Sequence, residues 1–328
     1  MLDGAGDAMW SFPLHPPADS SLATRVDILF YAWLGIAGVV TLVIFVLIVY
    51  FCVKYRHGSS ADRRMESGPQ LRRDSHRIEI AWIATPLLIF VVMFAWAADL
   101  YYVHAAPPAN ATEVYIVGKQ WMWKLEHPGG QREIDELHVP AGRPVKLVMT
   151  SQDVIHSFFM PVFRIKQDVL PGRYTMLWFT ATKPGDYHVF CSQYCGTDHA
   201  RMIGHVVVMA PAAYARWLSS GNASQSMAQE GAARFRQYGC SGCHGENASV
   251  HAPRLEGIFG GRVQLSDGSS VVVDERYIHD SVMLPRKQVV AGYQPIMPSF
   301  QGQIAEDDLL DIIEYIKSLR DASPGEIR

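Results

Sequence analysis

The sequence predicts a multidomain membrane protein: an N-terminal transmembrane helical hairpin, a β-barrel or β-sandwich, and a C-terminal all-α domain. Three observations predict it. Two long apolar runs, Ile28 to Val53 and Ile80 to Ala98, occupy the first third of the chain. Short β-like runs broken by Pro-Gly and Gly-rich turns fill the middle. Helical periodicity takes over after a small polar stretch. The 328 residues are too many for one ordinary domain, and a hydrophobic content of 49% is high for a soluble protein. A net charge of −3 gives no support to a nucleic-acid partner.

Residues 1–25 read as an N-terminal outer segment. It is not a clear signal peptide, because Asp3 and Asp7 stand where a positive region would be and the first apolar run starts too far in. Residues 26–100 read as a two-helix anchor, with helices at about 27–54 and 78–100 and a cytoplasmic loop at 55–77. The first run holds no charge and is long enough to cross a hydrocarbon core of roughly 30 Å. The second is shorter but near the required roughly 20 residues. A buried core helix is the bland alternative, disfavoured by length and lack of charge. Between the runs lie Lys54, Arg56, Arg63, Arg64, Arg72, Arg73 and Arg77, against Asp62, Glu66 and Asp74. The positive-inside rule puts this loop in the cytoplasm and everything after about Leu100 outside. Trp96, Tyr101 and Tyr102 suit the outer aromatic belt.

Residues 101–215 form the predicted β domain. Its runs are Glu113–Gly118, Val145–Thr150, Tyr174–Phe179, Tyr187–Phe190 and Ile203–Val208. Residues 216–226 read as a linker, with Ser219 to Ser226 its polar part. Residues 227–322 form the helical domain, followed by a tail at 323–328. Ser226 and Gln229 make a capping-box signature before a helix running toward Tyr238. Leu309, Ile312, Ile313 and Ile316 share one face of a last helix. Glu306, Asp307 and Asp308 open that helix and Lys317 and Arg320 close it, as the helix dipole favours. Between the helices, Asp267-Gly268 with its flanking valines reads as a small hairpin.

The five cysteines are Cys52 alone and two close pairs, Cys191 with Cys195 and Cys240 with Cys243. Such pairs read as metal or cofactor attachment rather than a disulfide framework. Cys240-Ser-Gly-Cys243-His244 is the c-type haem attachment motif: two thiols for thioether bonds and an adjacent axial histidine. The same residue types serve zinc sites and redox thiol pairs, but no second C-x-x-C pair follows to complete a zinc ribbon. Methionine is a usual partner of an axial histidine, and it raises the potential. Met297, in a proline-stiffened loop before the last helix, is the candidate; Met283 and Met227 compete.

The other pair lies in Cys191-Ser-Gln-Tyr-Cys195-Gly-Thr-Asp-His199-Ala-Arg-Met202. Two thiols, an imidazole and a thioether within one loop form a soft ligand set, and the thioether favours copper over zinc. A disulfide is the bland reading in an oxidising compartment. Cys52 has no partner and reads as a lipid-facing or interhelical residue.

The cluster C-x-x-x-C-x-x-x-H-x-x-M resembles the dinuclear CuA centre of cytochrome c oxidase subunit II. The stretch from Asp267-Gly268 through Tyr277 to Val289-Val-Ala-Gly-Tyr293-Gln-Pro-Ile-Met-Pro-Ser-Phe300 is similar to the cytochrome c domain fused to that subunit in bacterial caa-type haem–copper oxidases. The likeness covers nearly the whole chain after about residue 25. It implies a cupredoxin-like β domain and a class I cytochrome c domain. It implies that Cys191 and Cys195 bridge the coppers, that His199 and His156 bind them, that Met202 is a weak ligand, and that Gln193 gives its backbone carbonyl. Many members carry glutamate at the Gln193 position and bind Mg²⁺ through it at the subunit I interface. Gln193 is a poorer ligand for a hard cation, so the resemblance carries over the copper role, which uses the backbone, and not the magnesium role.

Further implications concern single residues and partners. Trp121, in Gly118-Lys-Gln-Trp121-Met-Trp123, stands where electrons enter; as a tryptophan in a β domain it could equally be core. Glu79, before Trp82 and Pro86 at the start of the second span, stands at the cytoplasmic mouth of a proton channel. Its bland reading is a glutamate stabilised at a helix N-terminus. Lys166 to Arg173 matches a segment that packs on subunit I. The implied partners are oxidase subunit I, which holds the O₂ site, subunit III, an external cytochrome c donor and the lipid bilayer. The implied place is the bacterial inner membrane, with both cofactor domains periplasmic. The implied function is electron delivery from the donor through haem c and CuA to O₂ reduction coupled to proton translocation. Two alternatives stay in view. One is the electron-receiving subunit of a CuA-type nitric oxide reductase, and the other a membrane-anchored copper carrier or redox sensor. A bo-type quinol oxidase subunit is disfavoured, because those proteins have lost these ligands.

Overall fold

The computed structural model describes residues 16–61, 69–220, 226–245, 248, 250 and 252–319. Arg63, Arg64 and the other loop residues to 68, most of the N-terminal segment, linker residues 221–225, Arg320 and the tail lie outside the described residues. The chain divides into two compact units, residues 22–106 and the remainder.

The first unit is two helices, α1 (Ser21–Lys54) and α2 (Pro69–Ala105). Both are long and apolar enough to cross a membrane. Most of their apolar side chains are exposed, as in Leu42 at 61%, Phe45 at 62% and Phe94 at 64%, which water would not tolerate and lipid does. Both helices outrun the stretches predicted at about 27–54 and 78–100. The apolar run marks the hydrocarbon depth, whereas a helix continues until a breaker stops it. For α2 the start is Pro69, a residue suited to a first turn that lacks N–H partners. Pro86 consequently lies well inside α2 rather than at its start. Glu79 is likewise interior, so the dipole reading of that glutamate does not hold. Its neighbour is His76, at 3.6 Å.

The second unit begins its regular structure with ten strands: β1 (Thr112–Lys119), β2 (Met122–Glu126), β3 (Arg132–Ile134), β4 (Glu136–Pro140), β5 (Pro144–Ser151), β6 (His156–Met160), β7 (Ile165–Val169), β8 (Thr175–Thr180), β9 (Gly185–Cys191) and β10 (Ile203–Met209). They form two five-stranded sheets, β3-β2-β1-β5-β8 and β4-β10-β9-β6-β7, curled in the manner of a cupredoxin half-barrel. Pairing is antiparallel except for β1 with β5 and β4 with β10. Val114, Ile116, Leu147, Met149, Phe158 and Phe179 belong to the core between the sheets.

Helix α3 (Pro211–Ser220) follows, running into the stretch read as linker. Its Trp217 stacks on His138 at 4.5 Å and its Tyr214 hydroxyl hydrogen-bonds His127 at 3.3 Å. Then come α4 (Met227–Gln237), the short α5 (Ser241–His244), the hairpin β11 (Arg262–Gln264) and β12 (Ser270–Val272), α6 (Glu275–Met283) and α7 (Glu306–Ser318). This C-terminal region is all-α apart from its hairpin. Ser226 and Gln229 form the reciprocal capping box at the head of α4. Gly231 lets α4 and α7 touch: a Cβ there would stand 1.9 Å from the Asp311 carbonyl oxygen.

Strand β1 explains how the two domains of this unit join. Its Val114 and Ile116 belong to the inter-sheet core, while Tyr115 and Val117 join Ile313 and Ile316 of the helical domain in a second core. Val148 of β5 and Tyr174 join them there. A strand buried on both faces reads as a continuous apolar run, which is how β1 and β5 look in the sequence. At one end of this seam Lys317 reaches Glu113, Tyr115, Glu275 and Glu314, and Lys146 lies 2.8 Å from Glu113 and 3.1 Å from Glu275.

Candidate metal and haem sites

The copper-type ligands converge from two places. Cys191 ends β9, and the chain then turns through Cys195 and a short 3₁₀ turn at His199–Arg201 before β10. His156 arrives from the start of β6, whose Phe158 pairs with Cys191 across the sheet. Strand pairing therefore brings a histidine 35 positions earlier onto the cysteine loop. Nitrogen of His156 and the sulfurs of Cys191 and Cys195 all lie within 4.8 Å of one another, and all three residues are buried.

The remaining candidates lie on the same cluster. His199 Nδ1 is 3.5 Å from Cys195 Sγ, Met202 Sδ is 3.9 Å from it, and the Gln193 carbonyl oxygen is 3.2 Å from Cys191 Sγ. The Gln193 side chain is exposed. The two sulfurs are 3.7 Å apart, and both cysteines are free. A disulfide needs about 2.0 Å. Two thiolates at about 2.3 Å from one tetrahedral ion would stand about 3.8 Å apart. The donor set and its spacing thus fit a soft-metal site held by two thiolates.

Electrostatics prepare it. Burial raises both thiols. For Cys191 the hydrogen bond with His156 and nearby backbone groups outweigh burial and bring it below the ordinary thiol range. Cys195 is left above that range, by burial and by its neighbour Cys191. Asp153 is a residue that motif reading does not single out. Its Oδ1 lies 2.8 Å from His156 Nε2, fixing the ring so that Nδ1 faces the sulfurs. The signal in the sequence is an acid three positions before the histidine, but only the turn between β5 and β6 brings them together. Burial alone would raise Asp153; amide hydrogen bonds from Gln120 and Val154, with His156, hold it below the usual carboxylate range. Trp121 is half-buried against the core, and its Nε1 donates to the Cys195 carbonyl at 3.2 Å.

The haem-type motif lines a cavity of about 580 Å³. Cys240, Cys243, His244 and Met297 all face it, among apolar walls such as Phe235, Leu255 and Ile316. Met283 and Met227 do not line it and are buried in the domain core. His244 Nδ1 lies 2.9 Å from the Pro253 carbonyl, which as acceptor fixes that nitrogen as the donor and leaves Nε2 as the ligating one. Two free thiols, an oriented imidazole and a thioether around an apolar volume fit a covalently held haem.

Residues 129–210 match the family described as cytochrome c oxidase subunit II, periplasmic domain, and residues 228–320 match the cytochrome c family. An alternative cytochrome c oxidase subunit 2 from Bradyrhizobium diazoefficiens is 34% identical over 142 residues, covering 34% of this chain and 51% of that protein. A cytochrome c oxidase subunit 2 from Alkalihalophilus pseudofirmus is 24% identical over 304 residues, covering 87% of this chain and 84% of that protein. The crystal structure of the periplasmic domain of subunit II of cytochrome oxidase from Bradyrhizobium japonicum is 30% identical, covering 35% of this chain and 96% of that one, with a TM-score of 0.34. The chain thus spans about half the length of the first relative and most of the second. It is a membrane protein with a periplasmic-type subunit II domain followed by a cytochrome c domain, in keeping with an electron-transferring oxidoreductase.

Proposed function

We propose that this chain is subunit II of a bacterial cytochrome c oxidase of the caa type, carrying a dinuclear CuA centre and one haem c. One observation carries the reading: a six-donor cluster with three sulfurs and an apolar cavity bearing a C-x-x-C-H motif occur in one compact unit of a chain that also carries two membrane-length helices. Cys191, Cys195, His156, His199, Met202 and the Gln193 carbonyl would hold the coppers, and Cys240, Cys243, His244 and Met297 the haem. When bound, the two groups supply one-electron chemistry, from an external cytochrome c to a partner subunit that reduces O₂ and translocates protons.

The residues of this chain bind and orient. The strands hold His156 and Cys191 in register, so little needs to move when a charge arrives. Asp153 keeps the His156 ring turned. Trp121 bears on Cys195, as expected of a residue where electrons enter. Glu79 is an exposed carboxylate on α2, suited to taking up protons from the cytoplasm. Gln193 offers no carboxylate for Mg²⁺. Subunits I and III are the expected partners, in the inner membrane with both domains periplasmic. A nitric oxide reductase partner would leave this chain's sites unchanged. An exchangeable copper carrier is disfavoured, since both thiols and His156 are buried.

The test is metal and spectral analysis of the purified full-length chain. Haem c bands together with copper and near-infrared CuA absorption are expected. Zinc in the cysteine site, or a Cys191–Cys195 disulfide without copper, would overturn the proposal.

A further inference from the structure

A short run of side chains links the haem cavity to the copper-ligand loop. Tyr238 lines the cavity and donates its hydroxyl to Asp308 at 2.6 Å. The adjacent Asp307, in the first turn of α7, crosses to the β domain: Lys124 Nζ lies 2.7 Å from its Oδ2 and Gln152 Nε2 lies 3.4 Å from the same oxygen. The Gln152 amide donates to the Gly118 carbonyl at 2.9 Å. Gly118 lies against the copper-site histidine, since a Cβ there would come within 3.0 Å of His156 Cδ2. The residue after Gln152 is Asp153. Its two oxygens serve both arms of the copper site, one at His156 and the other accepting the Gln120 amide at 2.7 Å. Gln120 in turn donates its side chain to the Cys195 carbonyl at 2.8 Å.

The position of this contact matters. β1 and β5 run parallel, with Glu113 opposite Lys146 at one end and Gly118 opposite Ser151 at the other. The half-buried lysine clusters occupy the first end, remote in register from the copper loop. The Asp307 contact occupies the second end, where the copper ligands are.

We propose that Asp307 and Gln152 are positioning residues that register the haem domain on the copper domain. In this proposal the run Tyr238–Asp308–Asp307–Gln152–Asp153 is the bridge for electron transfer between them. It rests on the function proposed above. One electron passes: the haem iron is oxidised by one and the copper pair reduced by one. No bond forms or breaks, and no proton leaves Asp307 or Asp153.

The experiment uses the detergent-solubilised full-length chain with both cofactors. Zero-length carbodiimide coupling should join Lys124 to Asp307, detected as a cross-linked peptide by mass spectrometry. Gln152→Ala and Asp307→Ala should each slow flash-initiated haem-to-copper electron transfer roughly tenfold, the scale of a positional loss. Haem and copper absorption and both reduction potentials should stay unchanged, and Asp307→Glu should recover much of the rate. If Gln152→Ala loses copper, Asp307→Ala decides, because it lies in the other domain. Unchanged transfer in Asp307→Ala, or no 124–307 cross-link, would overturn the bridge while leaving the function intact. A wild-type chain lacking either cofactor band would overturn the function itself, and the bridge with it.

Discussion

The copper-type and haem-type sites are built on opposite plans. The first is a set of donors already in place, held by strand pairing and by Asp153 inside a filled core. The second is a cavity of about 580 Å³ with its ligands spread along the walls. The difference teaches that a small metal can be accommodated by a finished fold, whereas a large planar cofactor is itself part of the core it completes.

The sharpest way to break this comparison is to withhold each cofactor in turn. Without the cofactor the apolar walls of this open cavity, Phe235, Leu255 and Ile316 among them, are wetted instead of buried, at about 25 cal/mol per Å² of apolar surface. A domain's whole stability is only about 5–15 kcal/mol, so the loss is felt across the domain. The double variant Cys240→Ala, Cys243→Ala should leave the C-terminal domain without cooperative unfolding, read by calorimetry and limited proteolysis. Copper removal by a chelator should leave the β domain folded. Equal losses from the two treatments would end the distinction.

Next in size is the seam that makes the two domains one unit. Lys317 is only 15% exposed and is held by Glu113, Glu275 and Glu314. Lys317→Met leaves Glu314 without its lysine and Glu113 and Glu275 with Lys146 alone, a loss of up to about 3–5 kcal/mol. Denaturant unfolding of the outer region should show the loss, with separate transitions for the two domains. A single unshifted transition would mean that the apolar contacts alone hold the seam.

Asp153→Asn tests how far the copper site is prepared in advance. Loss of such an outer-shell partner lowers metal affinity by about 10–100-fold. Competition with a copper chelator would read it, and an unchanged affinity would mean that the strands alone orient His156.

The smallest effect concerns pH. Burial and the neighbouring Glu126 push Asp311 up to about 8, and burial pushes Glu126 up to about 7, despite Arg132. A carboxyl raised in the folded state contributes stability that is full at acid pH and is lost as pH climbs through its folded value. The outer region should therefore melt lower at pH 8.5 than at pH 6. Asp311→Asn should flatten that slope and raise melting at pH 8.5, by about 2–4 °C per kcal/mol recovered. An unaltered slope in the variant would assign the pH dependence elsewhere.

Much of this architecture is legible in the amino-acid sequence alone. Composition and periodicity are local properties, so the two membrane-length helices, the β runs, the Ser226 capping box and the last helix's buried face follow from neighbouring residues. The helix ends are less legible, since hydropathy reports the lipid boundary and not where hydrogen bonding stops. The cysteine loop and the C-x-x-C-H segment are local too, and their chemistry is written in residue type and spacing. What only the tertiary structure decided is everything that depends on strand register and domain docking. It set His156 beside Cys191, faced Met297 rather than Met283 into the cavity, and brought Asp307 to Lys124 and Gln152. The physical reason is range: spacing along the chain encodes contacts within a turn or a loop. Contacts between residues scores of positions apart exist only once burial of both faces of β1 and β5 has fixed how the sheets and helices meet.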